Sequence, residues 1–280
     1  RGVEIAIEFK GGTIITYSYE GDVKSSDVQS DIETLLETPV TIQQGENLSG
    51  DSKTFSISFS YDQGLSSEKQ NSLTSLMQEK YPDSNFEVLD SNDVNPTSGR
   101  EFFLKCVVAA ILAAVLIILY IAWRFKKISG WSAGVCAVIA LIHNLVFVFG
   151  TFAVIGFEIN SNFIAVILTI LGYSVNDTIV VYDRIRENKK IMPKASFTEL
   201  VNVSTSQSLT RSIRTSITTV STMIIVSVVA YIYGVESILS FSVPMIVGMI
   251  AGTYASLCIA SPLWVWWNER KNAKTVKSKK

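Results

Sequence analysis

Residues 171–188 read LGYSVNDTIVVYDRIREN, which places one carboxylate, Asp177, inside an apolar run that ends in a cluster of charges. An Asp at the centre of a membrane-spanning helix costs about 2.5 to 3.5 kcal/mol or more, so such a residue usually faces a protein partner or a wet cavity. The stretch therefore indicates an α-helical polytopic membrane protein that uses an ionisable group inside the bilayer.

The charges of the chain are divided sharply between its two parts. Residues 1–99 carry 17 acidic and 6 basic side chains, a net charge of −11, whereas residues 100–280 carry 8 and 18, a net charge of +10. Apolar runs of about 20 residues, the length needed to cross the hydrocarbon core, begin only after residue 100. We expect a soluble N-terminal domain at 1–99, a transmembrane domain at 100–270 and a basic cytoplasmic tail at 271–280. An acidic first domain would repel phosphate, which argues against nucleic acid as a partner.

Periodicity predicts an α+β fold for the N-terminal domain. Alternating apolar residues indicate strands and apolar residues three or four apart indicate helices. The predicted order is a strand at 5–17 broken by Gly11 and Gly12, a helix from Ser25 or Ser26 to Pro39, strands at 40–42 and 55–61, a helix from Ser67 to Pro82 and a strand at 86–89. This order is the split βαβ arrangement of ferredoxin-like domains.

Five apolar segments predict five spanning helices, at 104–123, 131–155, 160–182, 212–233 and 239–262. The basic stretches at 124–127, 184–194 and 270–280 should be cytoplasmic, because positive loops stay on the inner side of the membrane. The five tryptophans then fall at the inner ends of the spans, and residues 189–207 form a connector on the inner leaflet.

This topology places residues 1–99 outside the cytoplasmic membrane and the C-terminus in the cytoplasm. Nothing in the chain accounts for the transfer of the N-terminal domain across the membrane. We therefore expect a sixth spanning helix before Arg1.

Asp177 is the first candidate for chemistry, with Asn176 beside it. Arg184 lies seven residues further along, about 10 Å on a helix, and marks the predicted cytoplasmic edge. A carboxylate at this depth can alternate between a protonated state, favoured by dehydration, and an ionised state, favoured by water or a nearby cation. The alternative is a static carboxylate held by hydrogen bonds between helices.

Two arginines enter the fourth span and are candidate partners of the carboxylate. Arg211 is the first choice and Arg214 the reserve, although an arginine at a helix end can also serve only to reach the lipid headgroups. Asp183 and Arg184 are expected to belong to a solvated cytoplasmic network. His143, beside Asn144, has a pKa range suited to proton transfer, but a lone histidine in a span more often packs through a hydrogen bond.

Small residues predict packing within the membrane. Gly130 and Gly134, and Gly248 and Gly252, have the spacing that allows close approach of helices, and Pro244 is expected to bend the last span. The three cysteines, all in apolar runs, are expected to be small core residues without a disulfide framework.

No enzyme constellation is present in the sequence. We find no Gly-rich phosphate loop, no metal-ligand spacing and no nucleophile with a matching histidine, so neither a metal nor a cofactor is expected. The remaining source of energy is the membrane gradient, worth about 2.3 kcal/mol per charge per 100 mV, with protons as the coupling ion.

Three segments of the chain closely resemble the SecF family of the bacterial Sec translocon. They are FKGGT at 9–13, LGYSVNDTIVVYDRIREN at 171–188 and NVSTSQSLTRSI at 202–213. The segment around Asp177 is specific, because the related SecD half has a different sequence around its Asp. The resemblance covers nearly the whole chain, although the N-terminal domain matches only in pattern.

The resemblance implies an accessory subunit in the bacterial cytoplasmic membrane that uses the proton motive force to promote translocation of secreted polypeptides. Its implied partners are SecD, the SecYEG channel, YajC and YidC, together with the translocating polypeptide and membrane lipid. Asp177 and Arg211 match the family's membrane Asp and Arg implicated in proton conduction. Thr210 stands where some members have His, which leaves the partners of Arg211 open.

Three other functions stay as alternatives. The family's membrane core is similar to that of RND exporters, so the chain could be half of a proton-driven exporter of small molecules or lipids. A passive scaffold for the channel would tolerate the loss of the Asp177 carboxylate. An intramembrane hydrolase comes last, for want of a nucleophile and base.

Overall fold

A computed structural model gives the fold and describes residues 5–21, 23–46, 53–59, 67–94 and 96–277. The N-terminal domain contains α1 (Ile7–Lys10), β1 (Gly12–Tyr19), α2 (Ser25–Leu36), β2 (Val40–Glu46), β3 (Lys53–Phe59), α3 (Ser67–Lys80) and β4 (Glu87–Val94). After it come α4 (Pro96–Arg124), α5 (Gly130–Ile155), α6 (Ser161–Ile191), α7 (Phe197–Ile232), α8 (Glu236–Ala255), a π-helical segment (Ser256–Ala260) and α9 (Ser261–Lys277).

The N-terminal domain is a four-stranded antiparallel sheet with the strand order β2-β3-β1-β4. Alternate residues of β3 (Phe55, Ile57 and Phe59) are buried, as the sequence pattern predicts. Val28 and Ile32 of α2 and Leu73 of α3 complete the core. The split βαβ arrangement is therefore confirmed.

Several local predictions for this domain are wrong. Residues 7–10 form one helical turn before Gly11, whose positive φ of 87° only glycine adopts easily, so β1 begins after the glycine break. The sequence predicts that Ser25 or Ser26 caps α2 and that Leu35 lies on its apolar face, but no side chain caps this helix and Leu35 is 40% exposed. Val88 and Leu89 are exposed on β4. The turn that the sequence predicts at 45–50 starts too early, because β2 continues to Glu46; its remaining residues and the predicted strand residue Tyr61 lie outside the described residues.

Five helical segments of the described chain are long and apolar enough to cross a membrane, which confirms the predicted helical membrane architecture. The prediction of a surface connector at 189–207 is wrong, because α6 continues to Ile191 and α7 begins at Phe197. Polar contacts between the two helices explain their length: the Asn188 amide donates to Ser204 Oγ across 2.8 Å. The apolar pattern ends near residue 182, and so the sequence alone underestimated both helices.

The chain divides into two compact units. The first comprises residues 1–107, 156–163 and 226–240, and the second comprises residues 108–155, 164–225 and 241–280. In the second unit, Phe125, Tyr182 and Trp264 are fully buried and pack with their rings together. Trp264 is thus a core residue whose Nε1 donates to Ser132 Oγ across 3.0 Å, so its indole ring packs against protein and not against lipid headgroups.

Glycine allows α8 to approach α6 closely. A Cβ on Gly248 would lie 2.8 Å from the Ile170 side chain, and one on Gly252 would lie 3.3 Å from Ser174 Cβ. The predicted helix-packing role of this glycine pair is therefore confirmed. Pro244 lies within α8, and the same span contains the π-helical segment, a feature that often marks a functional site.

The three cysteines are not equivalent. Cys136 is buried in the core of the second unit, as expected. Cys106 is only half-buried and Cys258 is exposed, so the prediction that all three are core residues is wrong for these two.

Candidate functional site

Asp177 lies on α6, faces α8 and is only 4% exposed. Thr253 Oγ1 donates a hydrogen bond to Asp177 Oδ2 across 3.3 Å. This distance is longer than the range of about 2.5 to 3.0 Å usual for hydroxyl hydrogen bonds. Within the part of the chain that the structure describes, no cation pairs with the carboxylate. The Asp177 carboxylate is therefore held by one weak contact to a neutral group.

A short chain of hydroxyl groups leads away from the carboxylate into α7. Thr253 Oγ1 and Ser216 Oγ are 2.5 Å apart, and Ser216 Oγ donates to the Ser212 carbonyl across 2.8 Å. Thr253 Oγ1 also lies 3.1 Å from the Met249 carbonyl. Each hydroxyl has a single proton and more than one acceptor, so the protons of this chain can be arranged in more than one way.

A second polar cluster lies one turn away and joins α5, α6 and the π-helical segment. The Asn144 amide lies 2.7 Å from Ser174 Oγ, and its nitrogen can donate to the Ala140 and Ala251 carbonyls at 3.2 and 3.1 Å. Thr178 Oγ1 and Ser256 Oγ are 2.9 Å apart. These side chains satisfy one another inside the bundle, which helps to specify how the helices pack.

A cleft of about 690 Å³ opens between α6 and α7. It is lined by Asn176, Asp183, Arg184, Arg186, Glu187, Lys190, Gln207, Ser208 and Arg211, together with Ile179 and Val180. Asn176 precedes the buried carboxylate in the chain and points into this cleft, whereas Asp177 faces α8. The cleft thus brings polar, solvent-accessible surface to within one residue of Asp177.

The predicted cationic partners do not contact the carboxylate. Arg211 is exposed and lines the cleft with Asn176, and Arg214 is exposed on α7. In the described residues, neither arginine forms a hydrogen bond or an ion pair with Asp177. Arg211 lines the same cleft as Asn176, but the sequence could not show that α6 presents Asn176, and not Asp177, to that cleft.

Asp183 and Arg184 belong to a polar network at the C-terminal part of α6. Asp183 Oδ1 lies 2.8 Å from Arg186 and 3.4 Å from Arg124 on α4. Arg184 Nε donates to Gln207 Oε1 across 2.7 Å, which links α6 to α7. These groups are partly exposed, so such ion pairs contribute about 0 to 1 kcal/mol each and serve mainly to orient the two helices.

His143 lies on α5, half-buried, with Nδ1 at 3.3 Å from the side-chain amide of Asn144. Its ring packs against Phe147 with the centroids 4.7 Å apart. No described contact connects His143 directly with Asp177, and participation in a relay stays a prediction.

The sequence interpretation missed the hydroxyl residues that contact the site. They are Ser174, Thr178, Ser216, Thr253 and Ser256. The spacing of Ser174 from Thr178 and of Ser212 from Ser216, four residues in each case, could have indicated them, because such pairs share one helix face. Among the described residues, no group of His, Cys, Asp or Glu is placed to hold a metal ion.

The chain is similar to proteins of known family over most of its length. Residues 74–270 match the family described as protein export membrane protein SecD/SecF, C-terminal. The chain is 34% identical to the protein translocase subunit SecF of Thermobaculum terrenum over 96% of this chain and 86% of that protein. It is 33% identical to the protein translocase subunit SecDF of Bacillus subtilis over 96% of this chain, but it spans only 35% of that longer protein.

A solved structure supports the same relationship. The crystal structure of SecDF, a translocon-associated membrane protein from Thermus thermophilus, matches with a TM-score of 0.76 and 33% identity. The match covers 95% of this chain and 34% of the SecDF chain. The fold, including the N-terminal sheet and the helical bundle, is thus that of one part of a larger known architecture.

Proposed function

The chain belongs to the SecD/SecF family of protein export membrane proteins, and on this premise we propose that it couples proton movement at Asp177 to the export of polypeptides. As a member related to protein translocase subunits, it is a multi-pass membrane component of protein export. We further propose that protons drive this export and that the chain lies in the cytoplasmic membrane of a bacterium. The N-terminal domain outside and the C-terminus inside complete the proposed topology.

One observation carries the proposal: Asp177 is buried in a spanning helix and its contact is a long hydrogen bond from a neutral hydroxyl. A carboxylate paired with an arginine would stay ionised, and one enclosed by several donors would be static. Asp177 has neither kind of partner in the described residues. A group in this state can gain a proton without breaking a strong interaction.

The hydroxyl chain gives the protonation change a structural consequence. When Asp177 is ionised, Thr253 donates to it, and when Asp177 is protonated the Thr253 proton is released to its second acceptor, the Met249 carbonyl. The contact between Thr253 and Ser216 changes with it, since either hydroxyl can donate to the other. Proton uptake thereby weakens one link between α6 and α8 and alters one between α7 and α8.

The cleft beside Asn176 supports exchange of the proton with water. Arg211 lines that cleft, and its positive charge would disfavour a second cation there and help the proton to leave. Protons serve as the coupling ion in this proposal, and no cofactor takes part. Arg214, Asp183, Arg184 and His143 are proposed only as supporting groups.

The SecDF relatives suggest that the partner is SecD, because their chains contain a region similar to this one in about a third of their length. Between residues 100 and 120 of α4 no residue is buried within the chain, which leaves that surface for lipid or a partner helix. The SecYEG channel, YajC, YidC and the translocating polypeptide are further proposed partners.

The proposal is tested with Asp177→Asn in inverted membrane vesicles that contain the chain and its SecD. Asn cannot change its charge, so we expect both proton flux and gradient-dependent export of a secretory polypeptide to fall to the level of vesicles without the chain. Glu199→Gln serves as the control, because Glu199 is an exposed carboxylate at the start of α7 to which the proposal gives no role. Wild-type values for both activities in Asp177→Asn would exclude the proposal.

A further inference from the structure

The short helix α1 contacts the start of α6 through a carboxylate. Glu8 Oε2 accepts a hydrogen bond from the Ser161 backbone N–H across 2.8 Å and a second from the Ser161 hydroxyl. The Ala6 N–H donates to the Ile159 carbonyl across 2.9 Å, and Ile5 forms a parallel bridge with Ile159. Residues 5–8 therefore run alongside residues 159–161, all within the first compact unit.

The position of Glu8 is fixed from the other side by the start of α4. Phe9 stacks on Phe102 with the ring centroids 5.7 Å apart and meets Phe103 edge-on at 5.5 Å. A Cβ on Gly99 would lie 2.9 Å from the Glu8 carbonyl, so the backbones touch. Only Gly11 separates α1 from β1, one of the two interior strands of the sheet. Glu8 thus stands on a rigid support that continues into the N-terminal domain.

The first turn of α6 is also tied to α8. The Asn162 amide nitrogen donates to the Ser237 carbonyl and to Ser240 Oγ, each across 2.9 Å. Ser161 and Asn162 are neighbours, so the Glu8 contact and the α8 contact act on one helical turn. The helices joined at this turn, α6 and α8, are those that share the hydrogen bond between Asp177 and Thr253.

We propose that Glu8 is a positioning residue that couples the N-terminal domain to the helix carrying Asp177. An α-helix is stiff, and the distance along α6 from Ser161 to Asp177 is about 24 Å. A displacement of α6 near Asp177 therefore also displaces the first turn of α6. The hydrogen bonds between that turn and the Glu8 carboxylate transmit the displacement to α1 and β1. This inference rests on the proposed function and adds the connection through which that function would move the N-terminal domain.

A purely structural cap is the alternative role for Glu8. Asn160 Oδ1 already accepts a hydrogen bond from the Phe163 N–H across 3.2 Å, so α6 has an N-terminal cap within its own sequence. The contribution of Glu8 is thus an additional acceptor from a different part of the chain. A carboxylate at a helix N-terminus also interacts favourably with the helix dipole, which strengthens the link.

The test compares Glu8→Ala, Glu8→Gln and Lys10→Ala in the full chain together with its SecD, in the vesicles described for Asp177. Proton flux and export are measured on the same preparation, and hydrogen exchange reports on the amides of residues 161–163. Glu8→Ala removes the carboxylate that accepts from the first turn of α6. Loss of such an acceptor changes the equilibrium between the linked and unlinked states about fivefold, so we expect export to fall about fivefold. Proton flux should stay near the wild-type value, and exchange at 161–163 should accelerate.

The two other variants separate coupling from folding. Glu8→Gln keeps an acceptor oxygen at the same reach and should restore most of the export, whereas Lys10→Ala changes an exposed residue of the same helix and should behave as wild type. An equal fall of flux and export in Glu8→Ala, or no change in either, would overturn the coupling. Failure of the proposed function itself is seen separately, as wild-type flux and export in Asp177→Asn.

Discussion

Thr253 on α8 donates its hydroxyl to Asp177 on α6, and the two oxygens are 3.3 Å apart. Asp177 is the one buried carboxylate among the described residues of the spanning helices. Its partner Thr253 is neutral and has a second acceptor, the Met249 carbonyl, and a neighbouring hydroxyl on Ser216. In contrast, Asp183 on the same helix lies 2.8 Å from the Arg186 guanidinium. Two carboxylates six residues apart thus have different partners, because one faces α8 and the other faces the polar end of the bundle.

Thr253→Val tests the role of this hydroxyl in the proposed proton movement. Valine keeps the shape of threonine but cannot donate, so the ionised state of Asp177 loses its donor and becomes less favourable. Because this hydrogen bond is long, it contributes no more than an ordinary one, about 0.5 to 1.5 kcal/mol, and proton flux in vesicles should fall about two- to tenfold. Thr222→Val is the control, because Thr222 is exposed on α7 and donates to the Thr218 carbonyl. Equal flux in the two variants would show that the hydroxyl has no part in it.

Gly248→Ala tests the close approach of α8 to α6. The new methyl group would lie 2.8 Å from the Ile170 side chain and 2.9 Å from Val148, and overpacking of this kind destabilises by about 1 to 3 kcal/mol. The matched control is Gly172→Ala on α6, where no atom lies within 4 Å of the added Cβ. There the higher helix propensity of alanine should stabilise by up to about 1 kcal/mol. Measured by thermal unfolding in detergent, the Tm should fall in Gly248→Ala only. A raised Tm for Gly248→Ala would contradict the close packing of α8 against α6.

Gln207→Leu tests the link between α6 and α7. Gln207 Oε1 accepts from Arg184 and from Asn188, whose side chain is only 2% exposed, at 2.7 and 2.9 Å. Leucine leaves these donors with fewer partners, and one unsatisfied buried group costs about 1 to 3 kcal/mol. We expect a lower Tm in detergent and faster hydrogen exchange at residues 189–207. The neighbouring Ser206→Ala, at an exposed position, should leave both measurements unchanged.

Asp31 gives the N-terminal domain a dependence on pH. Hydrogen bonds from Lys80, and from Tyr81 Oη across 2.7 Å, hold the pKa of Asp31 below its usual value. A depressed pKa in the folded state means that the stabilisation is present above the unfolded pKa of about 3.9 and is lost as the pH falls through the folded value. Burial and the same carboxylate raise the pKa of Tyr81 to about 12.

Asp31→Asn should therefore lower the Tm at pH 7 and have little effect at a pH below the folded pKa of Asp31. The exposed Asp83 lies in the same domain, so Asp83→Asn is the control and should show no such dependence. A Tm difference between wild type and Asp31→Asn that is the same at both pH values would argue against the role of the Asp31 charge.

Much of the fold follows from local patterns in the chain. The alternation of Phe55, Ile57 and Phe59 identified β3, and apolar runs identified five spans, because burial of one strand face or of a whole helix leaves a regular mark on the sequence. Residues 7–10 and 189–207 leave no such mark, and the sequence therefore did not predict their helical structure. Their helical state depends on a positive φ at Gly11 and on polar contacts between α6 and α7, neither of which has a periodic signature.

The position of the site was readable from sequence, since a lone Asp in an apolar run is costly wherever the helix packs. The partners of Asp177 could not be predicted from the sequence. Arg211 was expected beside Asp177, and the structure places Thr253 there and puts Arg211 in the cleft with Asn176. Thr253 is 76 residues away from Asp177 in the chain, and no spacing connects them.

Composition and periodicity were therefore sufficient for the membrane class, the ferredoxin-like domain and the placement of Asp177 inside a spanning helix, because each depends on the solvent preference of residues one at a time. The choice of Thr253 as hydrogen-bond partner, the burial of Trp264 and the contact of Glu8 with Ser161 emerged only from the packed helices. Such contacts depend on the rotation and close approach of distant segments, which glycines such as Gly248 permit and which no local pattern specifies.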